Sequence, residues 1–388
     1  MVSDQVVVLH VITGLNVGGA ERMLQKIVTS NGDQSIHSVV LSLSSGGLIA
    51  DQLALSGISV TSLKSTSIFD RVILIFRVIR FIKKLEPDMI QTWMYHADII
   101  GGVAAKLCSV PLIVWNIRNG PFRFFEKKNG TPKLLTKFVV ILGSWLSWVI
   151  PNHIFCCSKI TIAHHAKMGF ARKKFVYISN GFDLEKFRPV RGAKEALASD
   201  LGIGGPCFLV GFVGRIEPQK NFRGMLEVAE YASSKRNDVH FVVVGKDSDS
   251  SWVKSEISAR NLQGNFHLLG LRSDIPYLMA AFDVLVSTSW TEGFSNVIGE
   301  AMASETVCVV TNVGDAIVQV GDHGFVVERG DMKGLALRVL ELCEDDVKRA
   351  RLGKNSRAHI AANFDIERIR DRYFREYRRM IHEASCAE

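Results

Sequence analysis

No run among the 388 residues reaches the roughly 18 unbroken apolar positions that a membrane-spanning helix needs. The longest apolar stretch, 138–150, is interrupted by Gly143, Ser144 and Ser147 and stopped by Pro151, so it reads as a buried helix. The first residues lack the basic start and small-residue cleavage site of a secretory leader. Segment 6–12 reads instead as a first strand, which places the protein in the cytoplasm as an expectation. Cysteine is sparse and unpatterned. The seven residues are odd in number, and none has C-x-x-C or zinc-ligand spacing, which argues against a disulfide scaffold and a zinc module. Cys156 and Cys157 are adjacent and read as strand residues. Short-period repeats and low-complexity tracts are missing as well. Acid is in short supply, with 39 Asp and Glu against 47 Lys and Arg for a net charge of +8. That balance favours an anionic partner, whether nucleic acid, a phosphate-bearing small molecule or an acidic membrane. The basic residues are not arranged with aromatics in any reading-module pattern, so no nucleic acid is expected.

What is present is a regular alternation of short apolar runs and helical-period segments. Runs at 6–12, 38–43, 59–63, 89–91, 112–115, 154–157 and 175–178 form one series of strands. Runs at 207–213, 240–244, 266–269, 284–287, 307–310 and 325–327 form a second. Strands alternating with helices imply parallel sheets covered on both faces, and thirteen strands are too many for one open sheet. The stretch 180–206, rich in glycine and proline, reads as a linker with one short helix at 193–199. The last segment, 365–382, is amphipathic, with Ile366, Ile369, Tyr373, Tyr377 and Met380 on one face.

Ligands of such sheets bind beyond the carboxyl ends of the strands. Three turns there carry chemistry. Thr13-Gly-Leu-Asn-Val-Gly-Gly-Ala-Glu21 offers Gly18 and Gly19 before a helix, where backbone amides can meet an anion. Its spacing is not G-x-G-x-x-G, and a plain tight turn fits the residues equally well. Gly214-Arg-Ile-Glu-Pro-Gln-Lys220 sets Arg215 and Lys220 beside a helix expected to begin around Gln219, a fork and a point charge suited to a diphosphate; a solvated basic loop is the plainer reading. Ser287 to Ala303 carries Glu292 in a turn and Glu300 in a helix, which a helix-start charge and a locally paired helix residue would also explain. At 1.5 Å per residue these carboxylates lie roughly 12 Å apart at most, which suits two contacts on one long ligand.

Taken in order, Gly18-Gly-Ala-Glu21, Gly214-Arg215 with Lys220, Gly270-Leu-Arg-Ser-Asp274, and Glu292-Gly-Phe-Ser-Asn296 with Glu300-Ala-Met-Ala303 resemble glycosyltransferase family 4. The run Ile178-Ser-Asn-Gly-Phe-Asp183 with Phe187-Arg-Pro189 resembles that family's crossing between domains. The resemblance implies an α/β GT-B fold: two Rossmann-like, doubly wound parallel-sheet domains facing a central cleft. It implies an N-terminal acceptor-side domain over 1–185, a C-terminal nucleotide-sugar domain over 186–364, and a helix over 365–388 packing back towards the first domain. It further implies that Arg215 and Lys220 neutralise a departing diphosphate and that Glu300 holds the ribose. Glu292 and the amides of Gly293, Phe294, Ser295 and Asn296 would grip the donor sugar, Leu271 and Arg272 would lie near the base, and Gly18 and Gly19 would close over the phosphates. The implied reaction is a retaining, metal-independent transfer from a nucleotide-diphosphate-sugar, by default a UDP-sugar, to a saccharide or polyprenyl-diphosphate-linked acceptor in surface polysaccharide biosynthesis.

The sequence departs from the family in two places. Trp115-Asn-Ile-Arg-Asn-Gly120 has Arg118 where many members have a histidine, and Arg118 is then a candidate sugar or phosphate contact; His96, after the fourth strand, is a candidate contact of the donor sugar or the acceptor, with a structural hydrogen bond at a helix start fitting it equally well. After Ala303 the family's Cys-Gly-x-Pro is Ser304-Glu-Thr-Val307, so the backbone there is expected to differ. The helix 71–85 carries five basic residues and no acid. It reads as a crossover helix whose basic edge, with Arg123, Lys127, Lys128, Lys133 and Lys137, suits peripheral contact with an anionic membrane. Alternatives on the same architecture are a nucleotide-sugar 2-epimerase and a non-catalytic nucleotide-sugar-binding subunit. An NAD-dependent oxidoreductase is disfavoured by the missing glycine fingerprint.

Overall fold

The computed structural model describes residues 5–16, 18–29, 35–63, 68–118 and 134–386. The described chain divides into two compact units. The first ends at Gly181 and regains the chain from Glu367 onward; the second runs from Phe182 to Ile366.

In chain order the first unit contains β1 (Val6–Ile12), α1 (Gly19–Val28), β2 (Ile36–Ser42), α2 (Leu48–Leu55), β3 (Ser59–Ser62), α3 (Ile68–Leu85), β4 (Met89–Trp93), α4 (Tyr95–Leu107), β5 (Leu112–Ile117), α5 (Leu134–Leu146), β6 (His153–Cys156), α6 (Lys159–Lys167) and β7 (Phe175–Tyr177). Its seven strands lie in the order β3-β2-β1-β4-β5-β6-β7 and every recorded pair is parallel. The second unit contains α7 (Ala193–Asp200), β8 (Phe208–Val213), α8 (Phe222–Ser233), β9 (Val239–Val244), α9 (Ser251–Ser258), β10 (Phe266–Gly270), α10 (Ile275–Ala281), β11 (Val284–Ser287), α11 (Asn296–Ala303), β12 (Val307–Thr311), α12 (Ala316–Val320), β13 (Phe325–Val327), α13 (Met332–Glu344) and α14 (Asp346–Asn363). Its six strands are ordered β10-β9-β8-β11-β12-β13, again parallel. A strand therefore stands in each of the thirteen apolar runs. Their continuous hydrophobicity follows from helices covering both faces, as in β9, where Phe241 to Val244 are all fully buried.

The last helix, α15 (Ile366–Ser385), buries Ile369, Tyr373, Tyr377 and Met380. Tyr377 stacks on Phe155 of β6, and its hydroxyl donates to Gln91 of β4, so the helix is tied to the first sheet by polar as well as apolar contacts.

Two expectations need correction. The stretch 138–150 is not a buried helix. Val140, Ser147 and Ile150 are buried, but Phe138, Ile141, Trp145, Trp148 and Val149 are exposed. An apolar run reports low polarity and does not say which surface it faces. The helix expected near Gln219 begins at Phe222, because Pro218 to Lys220 form a short 3-10 turn and Asn221, at φ 52°, redirects the chain before α8. The departure after Ala303 takes the form of a tight turn with Glu305 at φ 63°, a left-handed conformation that favours glycine.

The first unit also holds neutral histidine in its core. His165 Nδ1 faces the Thr161 carbonyl at 2.8 Å and must donate to it, so Nε2 accepts from the Tyr95 hydroxyl at 2.6 Å. Burial lowers its pKa from 6.5 to about 4. An unfolded chain takes up this proton near 6.5 and the native one only near 4. Stability from the neutral ring is thus complete above 6.5 and is lost as pH falls towards 4. We expect the melting temperature of His165→Gln to fall less than that of the wild type between about pH 7 and pH 4.5. Parallel curves would contradict this account.

Candidate active site

In the second unit, β9 and β10 extend from one side of β8, and β11 to β13 from the other. The connections reverse direction between β8 and β11, and a crevice opens at such a point beyond the carboxyl ends of the strands. Gly214 follows β8 there and Ser287 ends β11. Two glycines let the edge close up. Gly245, after β9, has φ 138°, and a Cβ on it would come within 2.1 Å of the Gly214 carbonyl oxygen. Only glycine permits this approach.

Lys220 and Glu292 meet at this switch point. Lys220 Nζ donates to Glu292 Oε1 at 2.6 Å, and Ser289 Oγ donates to the same oxygen at 2.7 Å. Both side chains are mostly shielded, with 20% and 15% of their surface exposed, so the pair is screened less than a surface ion pair. The backbone beneath is fixed by Thr288, whose hydroxyl donates to the carbonyls of Lys220 and Asn221 at 3.1 and 2.8 Å. The Trp290 amide donates to the Gln219 carbonyl at 2.7 Å. The loops after β8 and β11 are therefore laced together directly under the ion pair.

Arg215 projects from the same edge but is largely exposed, and its guanidinium bonds Glu217 at 3.0 Å. Arg272 grips Asp274 through two parallel bonds of 2.8 and 2.6 Å, and Leu271 beside it is exposed. Among the described residues, Glu292 bonds Lys220 and Ser289, while Arg215 and Arg272 pair with Glu217 and Asp274. Gly293 is held from the turn between β12 and α12: the Asp315 amide donates to its carbonyl at 2.9 Å, and Gly314, at φ 57°, passes so close that a Cβ would lie 2.3 Å from that oxygen. The side chain of Phe294 turns away from solvent to pack with Phe182 and Phe364, leaving its backbone as the part able to face a ligand. Ser295 precedes α11 without capping it through its hydroxyl, and its carbonyl accepts from the buried Gln319 at 2.6 Å. Asn296 opens the helix, and Glu300 lies one turn further on, buried. A helix N-terminus of this kind favours negative charge.

In the first unit the corresponding reversal lies between β1 and β4. Gly18 and Gly19 start α1 beyond β1, with Gly18 in an extended conformation that any residue adopts. His96 stands half-buried in the first turn of α4, beyond β4. The turn before it holds Met94 at φ 76°, a strained backbone position for a side chain of that size. Arg118 follows β5 and is held on several sides. It donates to the Tyr373 hydroxyl at 2.7 Å, to Asn116 at 3.3 Å and to Asn180, and it lies 5.7 Å from the centre of the Trp93 ring. The basic residues Arg123, Lys127, Lys128 and Lys133 lie outside the described residues.

Sequence reasoning missed Ser289, Thr288, Gly245 and Gly314. The last two were within reach of the strand-end rule, since each follows a strand at its carboxyl end. The two hydroxyls carry no signal of their own.

Residues 17–186 match the family model described as Glycosyltransferase Family 4, and residues 194–359 match Glycosyl transferases group 1. A UDP-Gal:alpha-D-GlcNAc-diphosphoundecaprenol alpha-1,3-galactosyltransferase of Escherichia coli is 29% identical over 310 residues, 76% of this chain and 77% of that one. An N,N'-diacetylbacillosaminyl-diphospho-undecaprenol alpha-1,3-N-acetylgalactosaminyltransferase of Campylobacter jejuni is 26% identical over 313 residues, covering 79% and 81%. Among solved structures, Anabaena Alr3699/HepE in complex with UDP and glucose superposes with a TM-score of 0.84 at 22% identity, over 96% of this chain and 99% of that one. Two parallel-sheet domains of seven and six strands, matched one after the other by these two models, make the chain a GT-B glycosyltransferase of the family 4 type.

Proposed function

We propose that the protein transfers a sugar from a UDP-sugar to a polyprenyl-diphosphate-linked saccharide, with retention of configuration and without a metal. The observation that carries this reading is the Lys220–Glu292 pair, placed at the β8/β11 switch point beside the start of α11. The names of the relatives support the donor and acceptor classes, and a lipid-linked acceptor implies work at a membrane surface.

In this reading donor binding exchanges partners. The diphosphate takes Lys220 and Arg215, and hydroxyls of the transferred sugar take Glu292 and the amides at Gly293 to Asn296. Glu300 receives the ribose, while Leu271 and Arg272 border the base. In the first unit His96 contacts the sugar or the acceptor, and Gly18 and Gly19 offer amides to phosphate. Arg118, held by Tyr373 and Asn180, serves there by orienting its neighbours or through a bond it gives up when substrate arrives. The acceptor hydroxyl attacks from the face the diphosphate leaves, and that diphosphate takes the proton. Fixed cations stabilise the leaving charge electrostatically, so added chelator leaves the rate unchanged.

Thermal stabilisation tests the donor assignment, because a ligand bound only to the folded state raises the melting temperature. UDP and its sugars should stabilise the protein without metal, and GDP and NAD should not. Stabilisation by NAD alone would overturn the reading. Release of an altered sugar with no acceptor present would identify an epimerase instead.

A further inference from the structure

The apolar residues that α5 leaves exposed form a single stripe. Phe138, Ile141 and Trp145 recur at helical spacing, and Trp148 and Val149 continue the row in the turn that closes the helix. Each of the five is between 56% and 75% exposed. Two tryptophans in an exposed apolar row are a poor fit to water and a good fit to a lipid interface.

The surroundings decide what covers this face. α4 packs against both α3 and α5. Its end exposes Lys106 beside Leu107, and the outer side of α3 exposes Arg77, Arg80, Lys83 and Lys84 together with Ile73 and Phe76. From 71 to 85 the sequence has no acid. In the rest of α4 and in the described part of α5 the one carboxylate is Asp98, which is buried. Asp70 near the start of α3 and Glu86 just past its end are the acids that flank this run in the sequence, so the layer offers aromatic and aliphatic groups rimmed mainly by cations, complementary to a surface that is apolar within and anionic at its headgroups.

We propose that the α3–α4–α5 face docks onto an anionic lipid monolayer, with Phe138, Ile141 and Trp145 entering the acyl boundary and Arg77, Arg80, Lys83, Lys84 and Lys106 meeting the headgroups. This deepens the lipid-linked reading of the acceptor by naming the surface that reaches the membrane holding it.

The test uses the full chain and vesicles of phosphatidylglycerol and phosphatidylcholine, compared with phosphatidylcholine alone and with no acceptor lipid in either. Wild-type protein should sediment with the anionic vesicles, weaken with salt, and show tryptophan emission quenched by brominated acyl chains. Phe138→Ser with Trp145→Ser should lower partitioning at least about tenfold, and Arg80→Glu with Lys84→Glu should also lower it and flatten the salt dependence. UDP-induced thermal stabilisation should persist in both variants, which shows that they fold. Absence of wild-type binding, or equal partitioning of wild type and both variants, overturns the proposal. So does a wild-type dimer that Phe138→Ser with Trp145→Ser converts to monomer, because the face would then belong to a second copy. Failed vesicle binding with intact sugar transfer would sink this proposal alone. Vesicle binding with no transfer would sink the enzymatic reading and leave the docking face standing.

Discussion

Lys220→Ala is expected to lower kcat by about 10²- to 10³-fold, the cost of removing one preorganised group that stabilises leaving-group charge. The reason lies in the placement of the ammonium. Its stem runs beside Gly214 at the end of β8, with the Cε 3.7 Å from where a Cβ on that glycine would be. Its head is aimed by Glu292, and its backbone is fixed by Thr288. Such a charge needs no reorganisation when the diphosphate departs. Glu292→Gln should also reduce the rate, and the double variant should lose less than the sum of the two free energies, because each single change leaves a shielded charge without its partner. Steady-state rates for the four proteins measure this coupling directly. An unchanged kcat in Lys220→Ala would remove the lysine from the mechanism, and strict additivity would mean that the observed ion pair is incidental.

Gly314→Ala is the second large effect. The new methyl would stand 2.3 Å from the carbonyl oxygen of Gly293 and 2.5 Å from that of Glu292, at a residue with φ 57°. Both obstacles are backbone, so relief requires moving the loop that carries the candidate sugar contacts. A displacement of about 1 Å in a positioning element costs on the order of 10²-fold in rate, and the left-handed alanine adds about 1 kcal/mol of strain. Activity should therefore fall by about 10²-fold, with a lower melting temperature. Gly264→Ala is the control, since a Cβ there meets nothing within 4 Å. Equal activity in the two variants would show that the loop position does not matter to the reaction.

Much of this was legible in the sequence because it rests on local pattern. Strands buried on both faces must be apolar along their whole length, so all thirteen announced themselves. The glycine, lysine and glutamate positions sit at strand ends, where the fold rule directs attention. What the sequence hid depends on long-range contact or on direction. Arg118 finds Tyr373, 255 positions away, through the packing of α15, and no spacing rule reports such a bond. Phe294 lies inside the candidate motif, yet its ring belongs to an aromatic cluster with Phe182 and Phe364, so the motif offers its backbone there. The α5 stripe was misread because Phe138, Ile141 and Trp145 would look the same facing a core or facing lipid. The short turn at Pro218 moved the helix start because Asn221 adopts a left-handed conformation that its residue type allows but does not require.

Sugar transfer to a lipid-linked acceptor can be read from the fate of a labelled donor. Purified protein is incubated with radiolabelled UDP-sugars and a short-chain polyprenyl-diphosphate-linked N-acetylhexosamine in the presence of chelator, and the extracted lipid is analysed for label and anomeric configuration. Label should appear in the lipid fraction from one UDP-sugar, in the α configuration of the donor, and should be lost in Lys220→Ala. Label that stays in water-soluble nucleotide or free sugar, with every donor and acceptor tried, would contradict such transfer.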